Sequence, residues 1–187
     1  LNTSLTNDGT FNLANGINIG NDADPDPIFN NNASFNWNSG DINFWGTTFN
    51  NNASGTINAN GNNAMNYSAG SNLFKNTGTF TKQNGTGPTS INIPWQNSGT
   101  VNINEGELNS NNPFVNTGIF NLASGKTLVN NNTFYWNAGS QLNGSGTFIN
   151  NNTFILNTAL NFPADITFNQ VNGQIRGGNL LTINGVM

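Results

Sequence analysis

Two groups of carboxylates are the residues of this chain best suited to chemistry. Glu105 and Glu107 are two positions apart, and on a strand that spacing puts both side chains on one face, about 6.6 Å apart, within the range that glycoside hydrolysis uses. Asp22, Asp24 and Asp26 form the only acidic cluster and offer the oxygen ligands that calcium takes, but the other positions of an EF-hand loop are missing. The glutamates have no basic partner close in sequence. We therefore expect no catalytic residue, and an exposed loop at the aspartates with a calcium site as the alternative.

The composition excludes several other kinds of chemistry. The 187 residues include no Cys and no His, which removes thiolate metal sites and the usual general base. Four basic residues against eight acidic ones give a net charge of −4, so there is no positive patch for nucleic acid or an anionic membrane surface. No apolar run is long enough to span a bilayer. We expect no enzyme, no cofactor, no nucleic-acid partner and no membrane insertion.

Aromatic side chains are the remaining candidates for ligand contact. Tyr135 occupies a position that is predicted to face solvent, whereas the pattern places Trp45 and Trp95 neither inside nor outside. Exposed aromatic rings along a β-sheet groove present planar apolar faces on which sugar rings can stack. These three residues are the predicted glycan-binding site. Trp37 and Trp136, in contrast, fall in a column that is predicted to face the core.

A repeat of about twenty residues organises the chain. An apolar residue is followed two positions later by Asn, then by a small residue, by Thr or Ser and by Phe, as in FKNTGTF and FVNTGIF. Eight copies occur, spaced 14 to 25 residues apart. Their asparagines are Asn7, Asn31, Asn51, Asn76, Asn97, Asn116, Asn130 and Asn150.

Apolar and polar residues alternate within each copy, as in Phe11–Leu13 and Val101–Ile103, where the middle residue is Asn. A period of two indicates strands with one buried face. A repeat near twenty residues suits a three-sided coil that stacks on the next coil by parallel pairing. We predict an all-β fold, a right-handed parallel β-helix (β-solenoid), that forms a single repeat array over residues 1–187.

The eight repeated asparagines are predicted to form one ladder along the coil axis. A side-chain amide carries both donor and acceptor groups, so stacked asparagines can bond from coil to coil, whereas stacked aspartates would repel each other. Two irregularities interrupt the pattern: Gly55 stands where Phe is expected, and Lys82 falls in an inward position. A bulge that shifts the register, or an outer place for Lys82 at a strand end, would explain the lysine.

Two other interpretations of the composition stay open. Asparagine accounts for 46 of the 187 residues, and Asn-rich chains of low charge are often disordered, although the phased apolar residues favour a folded array. Outward Thr and Ser residues also suggest the flat array of an ice-binding solenoid, with Asn in its second column. Those residues are Thr10, Ser34, Ser54, Thr79, Thr100, Thr133 and Thr153.

The chain from Leu5 to about Phe154 resembles a known class of repeats. Phrases such as NTGTF, NSGTVNINEGEL and NTGIFNLASGKTL are similar to the Asn/Gly-rich parallel β-helix regions of large bacterial surface and secreted proteins of the adhesin, haemagglutinin and autotransporter-passenger type. The resemblance implies an extracellular or cell-surface location and a structural or adhesive role.

The expected function is therefore a structural one. We expect a rigid segment of a bacterial cell-surface adhesin or fibre, stacked through Asn ladders and an aromatic core. The apolar ending LLTINGVM, and a first repeat almost at Leu1, predict a segment of a longer chain or end-to-end stacking with itself. A carbohydrate-binding or polysaccharide-cleaving β-helix, with extracellular glycans as partners, is the alternative, and an ice-binding solenoid is a further one.

Overall fold

The structure, a computed structural model, describes residues 3–20 and 26–187. Within these ranges the chain forms 26 β-strands and no helix, so the described residues contain no helix that could cross a membrane. Strands of successive coils pair in parallel, as Leu5–Asn7 does with Phe29–Asn31. The prediction of an all-β parallel β-solenoid is confirmed.

Three long sheets form the sides of the solenoid, and the chain visits them in the order A, B, C. In the described residues sheet A contains β1 (Leu5–Asn7), β4 (Ile28–Asn31), β7 (Thr48–Asn51), β10 (Leu73–Asn76), β13 (Trp95–Asn97), β16 (Phe114–Asn116), β19 (Phe134–Trp136), β22 (Phe154–Leu156) and β25 (Ile175–Arg176). Sheet B contains β2 (Thr10–Leu13), β5 (Ser34–Trp37), β8 (Thr56–Ala59), β11 (Thr79–Lys82), β14 (Thr100–Ile103), β17 (Ile119–Leu122) and β20 (Gln141–Gly144).

Sheet C completes each coil. It contains β3 (Ile17–Gly20), β6 (Ile42–Trp45), β9 (Ala64–Ala69), β12 (Pro88–Ile91), β15 (Glu107–Ser110), β18 (Thr127–Asn130), β21 (Thr147–Asn150) and β24 (Thr167–Gln170). In the last coils the place of sheet B in chain order is taken by a two-stranded sheet of β23 (Leu160–Phe162) and β26 (Leu181–Ile183). The turn that leaves sheet A is called the A–B corner below, and the turn that enters sheet A is called the C–A corner.

Coil length varies mainly because the corners between the strands differ in length. Trp95 pairs with Phe114, 19 residues later, whereas Phe49 pairs with Phe74, 25 residues later. The eight steps from Leu5 to Ile175 give about 21 residues per coil, close to the predicted twenty. Parallel strands about 4.8 Å apart make these eight steps about 38 Å long.

Alternation of side chains along each strand builds one continuous apolar core. In β14 the side chains of Val101 and Ile103 are fully buried, and those of Thr100 and Asn102 are half-exposed. Aromatic rings of sheet A stack from coil to coil, with Phe29 and Phe49 centroids 4.5 Å apart. A single coil cannot enclose these rings, so burial, worth about 1.5–3 kcal/mol per large apolar side chain, comes from the neighbouring coils.

The position predicted for Phe but held by Gly55 is filled by a different residue. The A–B corner of this coil is longer than in its neighbours, and Ile57 pairs with both Phe35 and Phe80. Ile57 is fully buried in the aromatic column. The insertion therefore ends before the strand begins, and the register of sheet B is kept.

Candidate functional site

Six of the predicted asparagines form a buried amide ladder at the A–B corner. From one coil to the next, the Nδ2 of each Asn donates to the Oδ1 of the Asn above it, over 2.7–2.8 Å. All six side chains are buried. The ladder, named the A ladder, consists of Asn7, Asn31, Asn51, Asn76, Asn97 and Asn116.

Backbone carbonyls fix the direction of the A ladder. The second hydrogen of each amide goes to a main-chain oxygen, for example from Asn51 to Thr79 O at 3.0 Å and from Asn76 to Thr100 O at 3.1 Å. Each interior amide thus uses both donors and its acceptor, which is the full capacity that burial requires. A reversed amide would place a carbonyl oxygen against a carbonyl oxygen, so the ladder has one polarity.

The prediction of a single eight-membered ladder is wrong at its last two positions. Asn130 and Asn150 lie in sheet C, where they form a separate C ladder that ends at Gln170. Asn130 Nδ2 donates to Asn150 Oδ1 at 2.6 Å, and Asn150 Nδ2 to Gln170 Oε1 at 2.8 Å. The physical reason is that the two corners have the same hydrogen-bond requirement. At the C–A corner of these coils, as at the A–B corner of the coils below, an inward Asn ends an apolar strand.

Amide ladders also run along the outside of the rod, and they point the opposite way. On sheet B, Asn121 Nδ2 donates down to Asn102 Oδ1 at 2.8 Å, and Asn143 donates to Asn121 at 3.1 Å. A longer outer ladder follows sheet C with bonds of 2.6–3.3 Å. It consists of Asn18, Asn43, Asn66, Asn92, Asn111, Asn131 and Asn151.

Lys82 lies inside the rod, contrary to both explanations that the sequence suggested. The strand keeps its register, with Lys82 between Ala59 and Ile103, and the side chain is fully buried. Its Nζ donates to Gly61 O at 2.8 Å, to Gly85 O at 2.9 Å, and to the backbone oxygen of Asn84. Corner carbonyls thus stabilise the ammonium where no carboxylate touches it.

Burial lowers the pKa of the Lys82 ammonium, and the nearby carboxylate of Glu105 partly opposes this by raising it. Four oxygen acceptors surround the Nζ, because Asn62 Oδ1 lies 3.3 Å from it in addition to the three main-chain oxygens. Hydrogen bonds of this kind favour the charged form. The Nζ of Lys82 therefore links the corners of adjacent coils.

Trp95 belongs to the core, so its prediction as a sugar contact is wrong. Its side chain is 1% exposed, its ring stacks on Phe114 at 3.7 Å between centroids, and its Nε1 donates to Ser110 Oγ at 2.8 Å. The reason is visible in the repeat, because Trp95 is the first residue of the motif and takes the inward position that Phe74 and Phe114 occupy on adjacent coils.

Tyr135 faces outward as predicted but is half-buried, in register with Val115 and Ile155 on sheet A. Trp45 is exposed at the end of β6. The most exposed aromatic residue of the described chain is one that the pattern missed, Tyr67 on β9. It belongs to the insertion around residues 60–71, where the repeat is hardest to phase, and the strand register breaks directly after it.

The Glu105 carboxylate makes two polar contacts at the edge of its coil. Glu105 Oε1 accepts from Lys126 Nζ at 2.7 Å and from the Gly106 N–H at 3.1 Å, and these two contacts lower the pKa of Glu105. Lys126 thus forms an ion pair at the rim with Glu105. Glu107 pairs with Thr127 on sheet C.

The acidic cluster lies largely beyond the described residues. Asp22 and Asp24 fall outside them, and Asp26 is exposed. Within residues 3–20 and 26–187 there is no group of three or more acidic side chains that could hold a metal ion. The calcium alternative therefore stays a prediction.

The outward Thr and Ser residues form a shorter array than the sequence predicted. Thr10, Ser34, Thr79 and Thr100 lie in one column of sheet B, together with Thr56. Ile119 and Gln141 continue that column, so its hydroxyl series ends after β14. Of the other predicted members, Ser54 lies at the A–B corner, and Thr133 and Thr153 lie at the C–A corner.

Comparison with known proteins identifies no relative of this chain: no protein-family profile, no curated protein and no solved structure matches it.

Proposed function

We propose that this chain is a rigid structural segment of an extracellular bacterial fibre or cell-surface adhesin. The observation that carries the proposal is the A ladder, which joins six coils by buried amide bonds parallel to the rod axis. Hydrogen bonds in that direction resist separation and sliding of coils. A rod of this kind is suited to holding other parts of a protein at a fixed distance.

The aromatic core supports the same role. Ring contacts run without a break from Phe11 and Phe29 at one end to Phe162 and Phe168 at the other. Because each coil is buried by the next, bending would expose rings on one side and compress them on the other, and packed interiors resist both. The core and the ladder therefore stiffen the rod together.

The chemistry of the ladders fits an extracellular setting. Amides do not titrate, so the main coil-to-coil bonds do not depend on pH, in contrast to ladders of Asp or Glu. The chain carries only 12 charged residues in 187, of which Lys82 is buried, and so few charges weaken the dependence on salt. A spacer exposed to changing pH and ionic strength would gain from both properties, and the resemblance to surface β-helix proteins points in the same direction.

Imaging and localisation test the proposal. Negative-stain electron microscopy of the purified chain should show straight rods, and sedimentation at increasing concentration tests the expected end-to-end stacking. Antibody labelling and protease treatment of intact cells should find the protein outside the cytoplasm. A flexible coil in the micrographs, or a protein that is reached only after cell lysis, would overturn the proposal.

A further inference from the structure

Two aromatic side chains are exposed on the surface, whereas nearly all the other aromatic rings are buried. Nearly all of the 14 Phe, 4 Trp and 2 Tyr residues are buried, but Trp45 is 38% exposed and Tyr67 is 61% exposed. They lie on β6 and β9, which are neighbouring strands of sheet C. Two large planar surfaces are thus presented on consecutive coils near the C–A corner.

The strand register breaks directly after Tyr67, whose ring faces outward. Phe44 pairs with Tyr67, but Trp45 pairs with Ala69, so one residue of β9 is extra at this point. Phe44 is fully buried, and Tyr67, although paired with it, is 61% exposed instead of packing above it in the core. Burying such a ring is worth about 1.5–3 kcal/mol, which the fold forgoes here. Bulges often redirect side chains beside binding sites.

The corner beside the two rings is held rigid. Gly46 N donates to Ala69 O at 2.9 Å, which ties the residue after Trp45 to the end of β9. The buried Asn72 accepts from Thr47 N at 3.0 Å and donates to Ala69 O at 2.7 Å. The backbone that carries the rings is therefore fixed before any ligand arrives, which reduces the entropy lost on binding.

Neutral polar groups flank the rings. Asn43 and Asn66 belong to the outer ladder of sheet C, and Asn66 Nδ2 contacts both Asn43 Oδ1, at 3.3 Å, and the Asp41 carboxylate, at 3.1 Å. That carboxylate also accepts from Ala64 N at 2.8 Å. Neither β6 nor β9 carries a Lys or Arg. The surface thus offers amide groups and aromatic faces but no positive charge for an acidic ligand.

We infer that Trp45 and Tyr67, with the amides of Asn43 and Asn66, form a binding platform for a neutral polysaccharide. Pyranose rings would stack on the aromatic faces, and the amides would exchange hydrogen bonds with sugar hydroxyls. The platform lies on the outer surface of a sheet and spans neighbouring coils, which suits an extended chain better than a single sugar. A carbohydrate-binding surface goes beyond the structural role of the rod.

Binding assays on the whole chain test this platform. Probes are the soluble neutral polymers hydroxyethyl cellulose and galactomannan, with polygalacturonate as the acidic comparison, in affinity gel electrophoresis. We expect a neutral polymer to retard the protein equally at low and high salt. Tyr67→Ala and Trp45→Ala should each weaken binding about tenfold, which corresponds to about 1.4 kcal/mol, and Tyr67→Phe should keep most of it.

Tyr135→Ala is the matched control, because Tyr135 is an outward aromatic residue on a different sheet. Tryptophan fluorescence gives a second readout: Trp45 is the exposed one of the four tryptophans, so a bound polymer should change emission in the wild type and not in Trp45→Phe. Thermal unfolding verifies that the variants remain folded.

Several results would overturn the inference. They are the absence of binding to either neutral polymer, binding that survives Trp45→Ala/Tyr67→Ala, loss of binding in Tyr135→Ala, or salt-sensitive binding to polygalacturonate alone. Sedimentation velocity adds one more: self-association abolished by Trp45→Ala/Tyr67→Ala would show that a second copy of the chain covers the rings.

Discussion

Asn116 and Trp136 occupy the same inward position on neighbouring coils, and the A ladder ends between them. Asn116 Oδ1 still accepts from the coil below, at 2.8 Å, but its Nδ2 turns to Gly118 O within its own coil, at 3.1 Å. The Nε1 of Trp136 is buried and finds no hydrogen-bond partner in the described residues. In the coils that follow, the buried amide ladder lies at the C–A corner, and Asn130 is its first residue.

Substitution of an interior Asn of the A ladder should lower the free energy of unfolding more than substitution of an Asn in an outer ladder. Asn51→Ala leaves the donor of Asn31 and the acceptor of Asn76 without partners in the core, and each orphaned group costs about 1–3 kcal/mol. We expect a loss of about 2–5 kcal/mol in the free energy of unfolding, measured by urea denaturation. Asn121→Ala on the outer surface, the control, should cost less than about 1 kcal/mol, because water replaces its bonds. Equal losses would contradict the role given to the A ladder.

Close coil contact leaves no room for a side chain at several glycines of the A–B corner, among them Gly99. A Cβ on Gly99 would lie 2.1 Å from Gly78 O in the coil below, whereas a Cβ on Gly9 would have no atom within 4 Å. Overpacking of this kind costs about 3 kcal/mol, so Gly99→Ala should lower the midpoint of thermal unfolding by several degrees. Gly9→Ala should stay within about 0.5 kcal/mol of the wild type. Similar melting of the two variants would show that the corner can widen.

The sequence sufficed to predict the coils and the sheets for the first six repeats. Apolar residues such as Phe80 and Phe120 recur with period two, and this pattern fixes which side of each strand is buried. The recurring Asn marks the corner where each strand ends. The sequence pattern assigns the last two repeats to the wrong sheet. FINNNTF at Phe148 is similar in sequence to FVNTGIF at Phe114, although the two motifs lie on different sheets. Corners with the same hydrogen-bond demands select the same residues, so sequence pattern alone could not distinguish them.

Lys82 and Tyr67 depended on contacts that a one-dimensional pattern does not contain. A lysine in an inward position suggests that the repeat has been aligned wrongly. The position is stable because the corner carbonyls of Gly61 and Gly85, which two adjacent coils bring together, accept hydrogen bonds from the lysine. Tyr67 is in register with the buried Phe44, yet its ring is exposed beside a bulge in the pairing of β6 with β9. Both exceptions arise where insertions lengthen a coil.

The buried ammonium of Lys82 should make stability depend on pH in the alkaline range. Burial places its pKa in the folded state below the usual value, which is about 10.4 in an unfolded chain. Between these two values the unfolded state binds more protons, so stability rises with pH. Lys82→Met should abolish that rise in denaturation curves recorded from neutral pH to about pH 10. The difference between the two proteins isolates the contribution of Lys82, because the rest of the chain is the same in both. A rise of equal slope in both would mean that another group is responsible.

The ion pair of Glu105 and Lys126 should give a dependence of the same sign, a rise of stability with pH, but in the acid range. The hydrogen bond from Lys126, followed by that from Gly106 N, lowers the pKa of Glu105. The stability contributed is complete above the unfolded value of about 4.3 and is lost as the pH falls through the folded value. Lys126→Ala should raise the pKa of the Glu105 carboxyl in a ¹³C NMR titration, and its effect on stability should vanish in acid. In a Glu105→Gln background the same substitution should have no pH-dependent effect, and a persistent one would place the partner of Lys126 elsewhere.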